Sequence, residues 1–314
     1  MRRRIIIDCD PGQDDAVALF LAFASRDELD ILGITTVAGN VPLALTEKNA
    51  RQMCDIAGVD DIPVFAGCDR PMQRPLHTAE HVHGKTGIDG VDATEPQTPL
   101  QDQHAVDFIV DTLRSADGVT LVPTGPLTNI ATAFTQAPDI VERVDDIVLM
   151  GGAMREGGNY SPSAEFNILV DPHAADIVFN CGRPVTAMGL DLTHQVISTR
   201  ERVARIRELG NPVAEATAGM LGFFHRHDSK KYGTEGGPLH DPCTIAFLLE
   251  PDMFRTRECN VSVETDSELT MGHTAVDFWH VTDRPVNTAW AWEIDAARFY
   301  ALLTERLARF GDLS

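Results

Sequence analysis

The hydrophobic pattern of this chain changes period repeatedly. Ile5-Ile6-Ile7 is a short β-branched run, and it stops at Asp8-Cys9-Asp10-Pro11-Gly12-Gln13-Asp14-Asp15. Residues 16–23 are apolar throughout and read as a buried helix. The same alternation then recurs. Residues 29–37 read as a second strand, 43–56 as a helix stopped by Gly58, and 62–67 as a short third strand. Residues 105–113 form a helix, 119–126 a fourth strand with its exit, and 127–134 the start of another helix. Residues 146–152 make a fifth strand ending in glycines. Asp171 is placed to cap a helix over 172–179, with Pro172 in its first turn, and 184–190 make a sixth strand.

Strand and helix in alternation predict an α/β fold with a mostly parallel central sheet covered by helices on both faces. Beyond residue 190 the pattern differs. Residues 200–209, 212–225 and 243–249 read as helices of a cap region, with a glycine-rich loop over 232–242. Residues 259–265 and 286–294 read as antiparallel edge strands, and 296–310 as a closing helix. No linker, repeat or low-complexity segment interrupts this, so residues 1–314 are expected to form one domain. Two stretches lack periodicity, 68–101 and 153–167. Loops of that length in a compact domain are usually functional or disordered.

Charge narrows the partners. The formal net charge is −21, which argues against nucleic acid or an anionic membrane surface. Lys48, Lys85, Lys230 and Lys231 are the only lysines. The six cysteines are scattered with no C-x-x-C pair, as expected for a reducing compartment. The first apolar run is too short for a signal peptide, and no run approaches a membrane span. A cytoplasmic location is the expectation.

Polar residues gather where the strands end. Ligands of open α/β sheets sit at the carboxyl ends of strands. Those ends carry Asp10, Asp14 and Asp15 after strand one, Asn40 after strand two, and Thr124 after strand four. Met150, Asn159, Glu165 and Asn167 follow strand five, and His240 and Asp241 lie in the late loop. Asp14 and Asp15 could equally serve the first turn of a helix, and Asp241 could cap one before Pro242. Four aspartates in eight residues repel one another, and a hard cation with oxygen ligands would relieve this.

Asp8-Cys9-Asp10-Pro11-Gly12-Gln13-Asp14-Asp15 resembles the signature of the nucleoside hydrolases, the inosine–uridine-type nucleoside N-ribohydrolases. Val122-Pro123-Thr124-Gly125-Pro126-Leu127-Thr128-Asn129, Ala164-Glu165-Phe166-Asn167 with Asp171-Pro172, and His240-Asp241-Pro242-Cys243 resemble further segments of that family, in order and spacing. The resemblance implies Ca²⁺ held by Asp10, Asp15, Asp241 and the Thr124 carbonyl. It implies Asp10 as general base, with ribose bound by Asp14, Asn40, Asn159, Glu165 and Asn167 and the pocket lined by Met150. It makes His240 the acid for the leaving base, with His83 as a loop histidine at the base pocket. The neighbouring His81 reads as solvated. The stretch 221–233 most resembles the pyrimidine-preferring bacterial members and makes His227 and Tyr232 candidate base contacts. Trp279, Trp290 and Trp292 lie in strand-like context and are expected to pack in the core. A ribonucleoside substrate and a homo-oligomer, dimer or tetramer, complete what the resemblance implies.

Two other readings compete. Asp8-x-Asp10 also matches phosphatases of the haloacid-dehalogenase type, but Gly12 stands where that family wants Thr or Val, and no Lys lies between 85 and 230. A nucleoside- or sugar-binding protein without catalysis would need the ribose contacts but not all of Asp10, Asp15 and Asp241.

Overall fold

The computed structural model describes residues 2–232 and 235–313, with side chains at 224–232, 312 and 313 outside the description. In chain order the elements are β1 Arg3–Cys9, α1 Gln13–Phe23, β2 Leu29–Thr36, α2 Leu43–Ala57, β3 Val64–Ala66, α3 Glu80–His83, β4 Leu100–Gln101, α4 Ala105–Ser115, β5 Val119–Pro123 and α5 Thr128–Gln136. Then follow β6 Val144–Met150, α6 Phe166–Val170, α7 Pro172–Phe179, β7 Val185–Met188, α8 Leu190–Thr193, β8 Ile197–Thr199, α9 Arg200–Arg207 and α10 Pro212–Tyr232. The chain closes with β9 Gly236–Pro238, α11 Pro242–Leu249, β10 Phe254–Cys259, β11 Val261–Val263, β12 Thr274–Val276, β13 Thr288–Ile294 and α12 Ala296–Ala308.

Among the described residues, nine strands make the main sheet in the order β10-β13-β7-β6-β5-β1-β2-β3-β4. Every pairing is parallel except β10 with β13. Alternate residues of a strand face opposite sides, and the core divides accordingly. Ile5 and Ile7 of β1 pack with α1, α2 and the late helices α10, α11 and α12. Ile6 faces the other way, onto α4, α5 and α7. Both faces are buried, which is why the strands read as continuous apolar runs rather than alternating ones.

Five expectations need correction. The segment 286–294 is not an edge: β13 lies between β10 and β7 and runs parallel to β7. The segment 259–265 is split: β10 ends at Cys259, and β11 leaves the sheet to pair with β12 as a separate antiparallel ribbon. The 68–101 stretch holds α3 and the edge strand β4. Helix α10 runs on to Tyr232, past the expected end at 225, and the glycine-rich stretch expected as loop over 232–242 contains β9, which pairs with β8. Trp290 is fully buried as expected, but Trp279 is 65% exposed, with the guanidiniums of Arg155 and Arg257 over its ring.

A candidate active site at the strand exits

β1 is central in the sheet, and the turn that follows it delivers the acidic cluster. Asp10 precedes the turn, while Asp14 and Asp15 occupy the first turn of α1. Asp15 does part of the capping work: its Oδ2 accepts from Gly12 N at 3.0 Å. Its Oδ1 accepts from Thr124 Oγ1 at 2.8 Å, which ties the β1 exit to the β5 exit. Asn40, after β2, gives its backbone N–H to Asp10 Oδ2 at 2.6 Å. The Asn40 side chain donates to Asp10 O at 3.1 Å and to Asp15 Oδ2 at 3.3 Å.

The other side of the site comes from β5 and β6. Asn167 Nδ2 donates to Thr124 O at 2.7 Å and to Met150 O at 3.1 Å. Glu165 caps α6: its Oε1 accepts from Asn167 N at 3.0 Å and its Oε2 from Ile168 N at 3.3 Å. Oε2 also takes Gly152 N at 3.0 Å, locking the capped helix to the β6 exit. Asn159 Oδ1 accepts from Phe166 N at 2.9 Å, so the irregular 153–165 loop folds back on the same helix.

Asp241 opens α11, but its side chain makes no cap hydrogen bond. It turns to the acids instead: carboxylate oxygens of Asp14, Asp15 and Asp241 lie within 4.8 Å of one another, all buried. The cluster thus contains Asp14, which the sequence reading gave to ribose, and Asp10 stands beside it. Asp10 Oδ1 is buried and has no hydrogen-bond partner among the described residues. His240, next to Asp241, meets Thr193 Oγ1 through Nδ1 at 2.7 Å. His83 meets Gln13 Oε1 through Nδ1 at 2.7 Å. His227 and Tyr232 lie among the residues whose side chains are outside the description.

Burial dominates the electrostatics. It pushes the carboxyls of Asp10 and Asp241 well above the usual range, with the neighbouring aspartates adding to the effect, and it raises Asp15 as well. Glu165 is pushed up to about 7 by burial against the opposing backbone N–H bonds. Asp8, behind the turn, is also raised to about 7 by burial. Buried carboxylates this close cannot all stay ionised unaided. The converging carboxylates of Asp14, Asp15 and Asp241, with Asp10 beside them, are oxygen ligands of the kind a hard cation takes.

Comparison with known proteins agrees with this geometry. The family model "Inosine-uridine preferring nucleoside hydrolase" matches residues 5–301. The chain belongs to this nucleoside hydrolase family. A pyrimidine-specific ribonucleoside hydrolase RihA of Photobacterium profundum is 49% identical over 99% of this chain and 100% of its own. A RihA of Shewanella sp. (strain MR-7) is 48% identical over 98% and 97%. Among solved structures, a purine-preferring ribonucleoside hydrolase from Gardnerella vaginalis superposes with TM-score 0.92 at 32% identity, covering 99% of this chain and 100% of that one. A plant nucleoside hydrolase superposes with TM-score 0.93 at 31% identity, covering 98% and 99%. The phosphatase and the non-catalytic binding readings find no support here.

Sequence reasoning passed over three residues that shape this site. Gln13 is fully buried and holds His83. Asn129 donates to Asp8 Oδ1 at 2.7 Å and Thr36 O at 3.0 Å and accepts from Cys68 N at 2.8 Å, joining three strand exits. Thr193 supports His240. Each is an ordinary polar residue in sequence, and only the burial that the fold imposes marks it out.

Proposed function

We propose that this enzyme hydrolyses the N-glycosidic bond of ribonucleosides, prefers pyrimidine nucleosides, and requires Ca²⁺. The observation that carries this is the convergence of Asp10, Asp14, Asp15 and Asp241 with Asn40, Thr124 and Asn167 on one buried rim. Asp10, Asp15, Asp241 and the Thr124 carbonyl would hold the cation, with Asp14 within reach of the same cluster. When bound, the cation would neutralise the carboxylates, orient ribose hydroxyls and lower the pKa of water.

The chain's own groups do the rest. Asp10 takes a proton from the attacking water as general base. Asp14, Asn40, Asn159, Glu165 and Asn167 bind the ribose hydroxyls, and Met150 lines the pocket. Their oxygens favour the positive charge of an oxocarbenium-like transition state. His240 protonates the departing base, and His83 stands at the base pocket. His227 and Tyr232 remain proposed base contacts on the sequence resemblance.

Pyrimidine preference is supported by relatives near half identity whose names specify it. A cytoplasmic homo-oligomer, dimer or tetramer, is proposed on the family resemblance alone. Calcium and base preference are tested together. Metal-free enzyme is reconstituted with Ca²⁺, Mg²⁺, Mn²⁺ or Zn²⁺ and assayed on uridine, cytidine and inosine. Calcium is expected to restore the highest rate, with uridine and cytidine ahead of inosine. Full activity without metal, or inosine as the best substrate, would contradict the reading.

A further inference from the structure

Gln13 is buried at the start of α1, and the chemistry above gives it no task. Its amide makes three contacts, all to the loop that carries His83. Nε2 donates to His83 O at 2.8 Å and to Asp89 O at 3.2 Å, and Oε1 meets His83 Nδ1 at 2.7 Å. The two carbonyls settle which end of the amide is which. Reversed, Oε1 would face two oxygens with no hydrogen between them. Oε1 is therefore an acceptor, and the proton in the third contact sits on His83 Nδ1.

The surroundings hold this arrangement in place. A Cβ on Gly12 would overlap the His83 ring and crowd Asn40 Nδ2, so the imidazole sits against the turn that carries the aspartates. Gly84, at φ +84°, starts a bend that brings Asp89 back toward His83, and a Cβ there would collide with the Asp89 carboxylate. Asn49 of α2 donates to Thr86 O at 2.8 Å, inside the same bend. The loop is thus fixed by two helices, and Gln13 spans both of its ends.

We propose that Gln13 is a positioning residue that holds neutral His83 as the Nδ1–H tautomer, with Nε2 the acceptor atom of the ring. This rests on the reading of His83 as a site residue. When neutral, His83 accepts a hydrogen bond at Nε2 from a hydroxyl or N–H of the nucleoside; when protonated, it gives one from the same atom. The contact of His240 fixes no tautomer, because its partner, Thr193 Oγ1, can donate or accept.

The test is the two-bond ¹H–¹⁵N correlation spectrum of the full-length protein labelled at histidine, with the His83 signal assigned by its loss in His83→Gln. At alkaline pH the expected pattern is a protonated Nδ1 and an unprotonated Nε2. Gln13→Leu should switch His83 to the Nε2–H form that free histidine prefers, and lower kcat/KM for uridine roughly tenfold. Gln13→Glu keeps an acceptor beside Nδ1 and should keep the Nδ1–H pattern. An Nε2–H pattern in the unmodified protein overturns the proposal, as does an unchanged pattern in Gln13→Leu. If Gln13→Leu does not fold, the unmodified protein and Gln13→Glu decide. A tautomer switch with unchanged kcat/KM overturns the functional half. The spectrum needs no turnover, so a protein that cleaves no nucleoside refutes the proposed function without touching this result.

Discussion

Asn40 grips Asp10 at two points: its backbone N–H reaches Oδ2 at 2.6 Å, and its side-chain amide reaches the Asp10 carbonyl oxygen at 3.1 Å. The exits of β1 and β2 are thereby locked together, and one oxygen of Asp10 is held while the other, Oδ1, has no donor among the described residues. Fixed orientation is what the general base we propose for this site needs. Asp10→Asn keeps the shape and removes that proposed base. Its kcat should fall by about 10²–10⁴-fold, with the thermal midpoint close to that of the unmodified enzyme. Near-normal turnover in steady-state assays would remove Asp10 from the base role.

Two glycines leave the room that Asp10 occupies. A Cβ on Gly39 would overlap Asp10 Oδ2, and one on Gly125 would overlap Oδ1. Neither has a left-handed backbone, so the requirement is space rather than φ. Gly39→Ala and Gly125→Ala should each displace the carboxylate. The expected result is a loss in kcat of roughly tenfold or more with a smaller change in KM. Equal kcat in both variants would show that the carboxylate can move without consequence.

Stability of the metal-free protein should depend on pH with an unusual sign. Asp8 and Glu165 are both raised to about 7 by burial. Between their unfolded values near 4 and these folded values the native state binds more protons than the unfolded one, so stability falls as pH rises through that window. Thermal midpoints with chelator present should decrease from about pH 5 to pH 7.5. Added Ca²⁺ should stabilise more at the higher pH, because ligands must be deprotonated to bind it. A midpoint that rises with pH in the chelated protein would contradict the burial argument.

His240→Ala tests the acid role proposed for His240. A base that departs poorly without a proton should suffer most, so the loss should differ between uridine and nucleosides with better leaving groups. For uridine a fall of about 10²-fold in kcat is expected. A normal rate with uridine, measured by release of uracil, would move the acid role to His83 or to solvent.

Much of the fold was legible because parallel strands buried on both faces leave apolar runs, unbroken over residues 5–7 of β1 and 147–150 of β6. The elements that were missed are short or defined by their neighbours. β4 has two residues, and β11 and β12 have three each, too few for any period to register. The interior place of β13 depends on which strand it meets, which local pattern does not encode. The exposed Trp279 reads as core by residue type, yet it lies under two guanidiniums on the surface. The site followed the same division. Asp10, Asn40, Thr124 and Asn167 stood out as polar residues at strand exits. The entry of Asp14 into the cluster with Asp15 and Asp241 arises because α11 brings Asp241 to the first turn of α1.

The reaction we propose breaks the bond between base and ribose in an unphosphorylated nucleoside. The most direct measurement is release of uracil and reducing sugar from uridine, run beside uridine 5′-monophosphate, with and without chelator. Equal amounts of uracil and ribose from uridine, little from the nucleotide, and loss of both on chelation are the predicted result. Intact uridine in the presence of calcium, or release of phosphate from the nucleotide in its place, would contradict it.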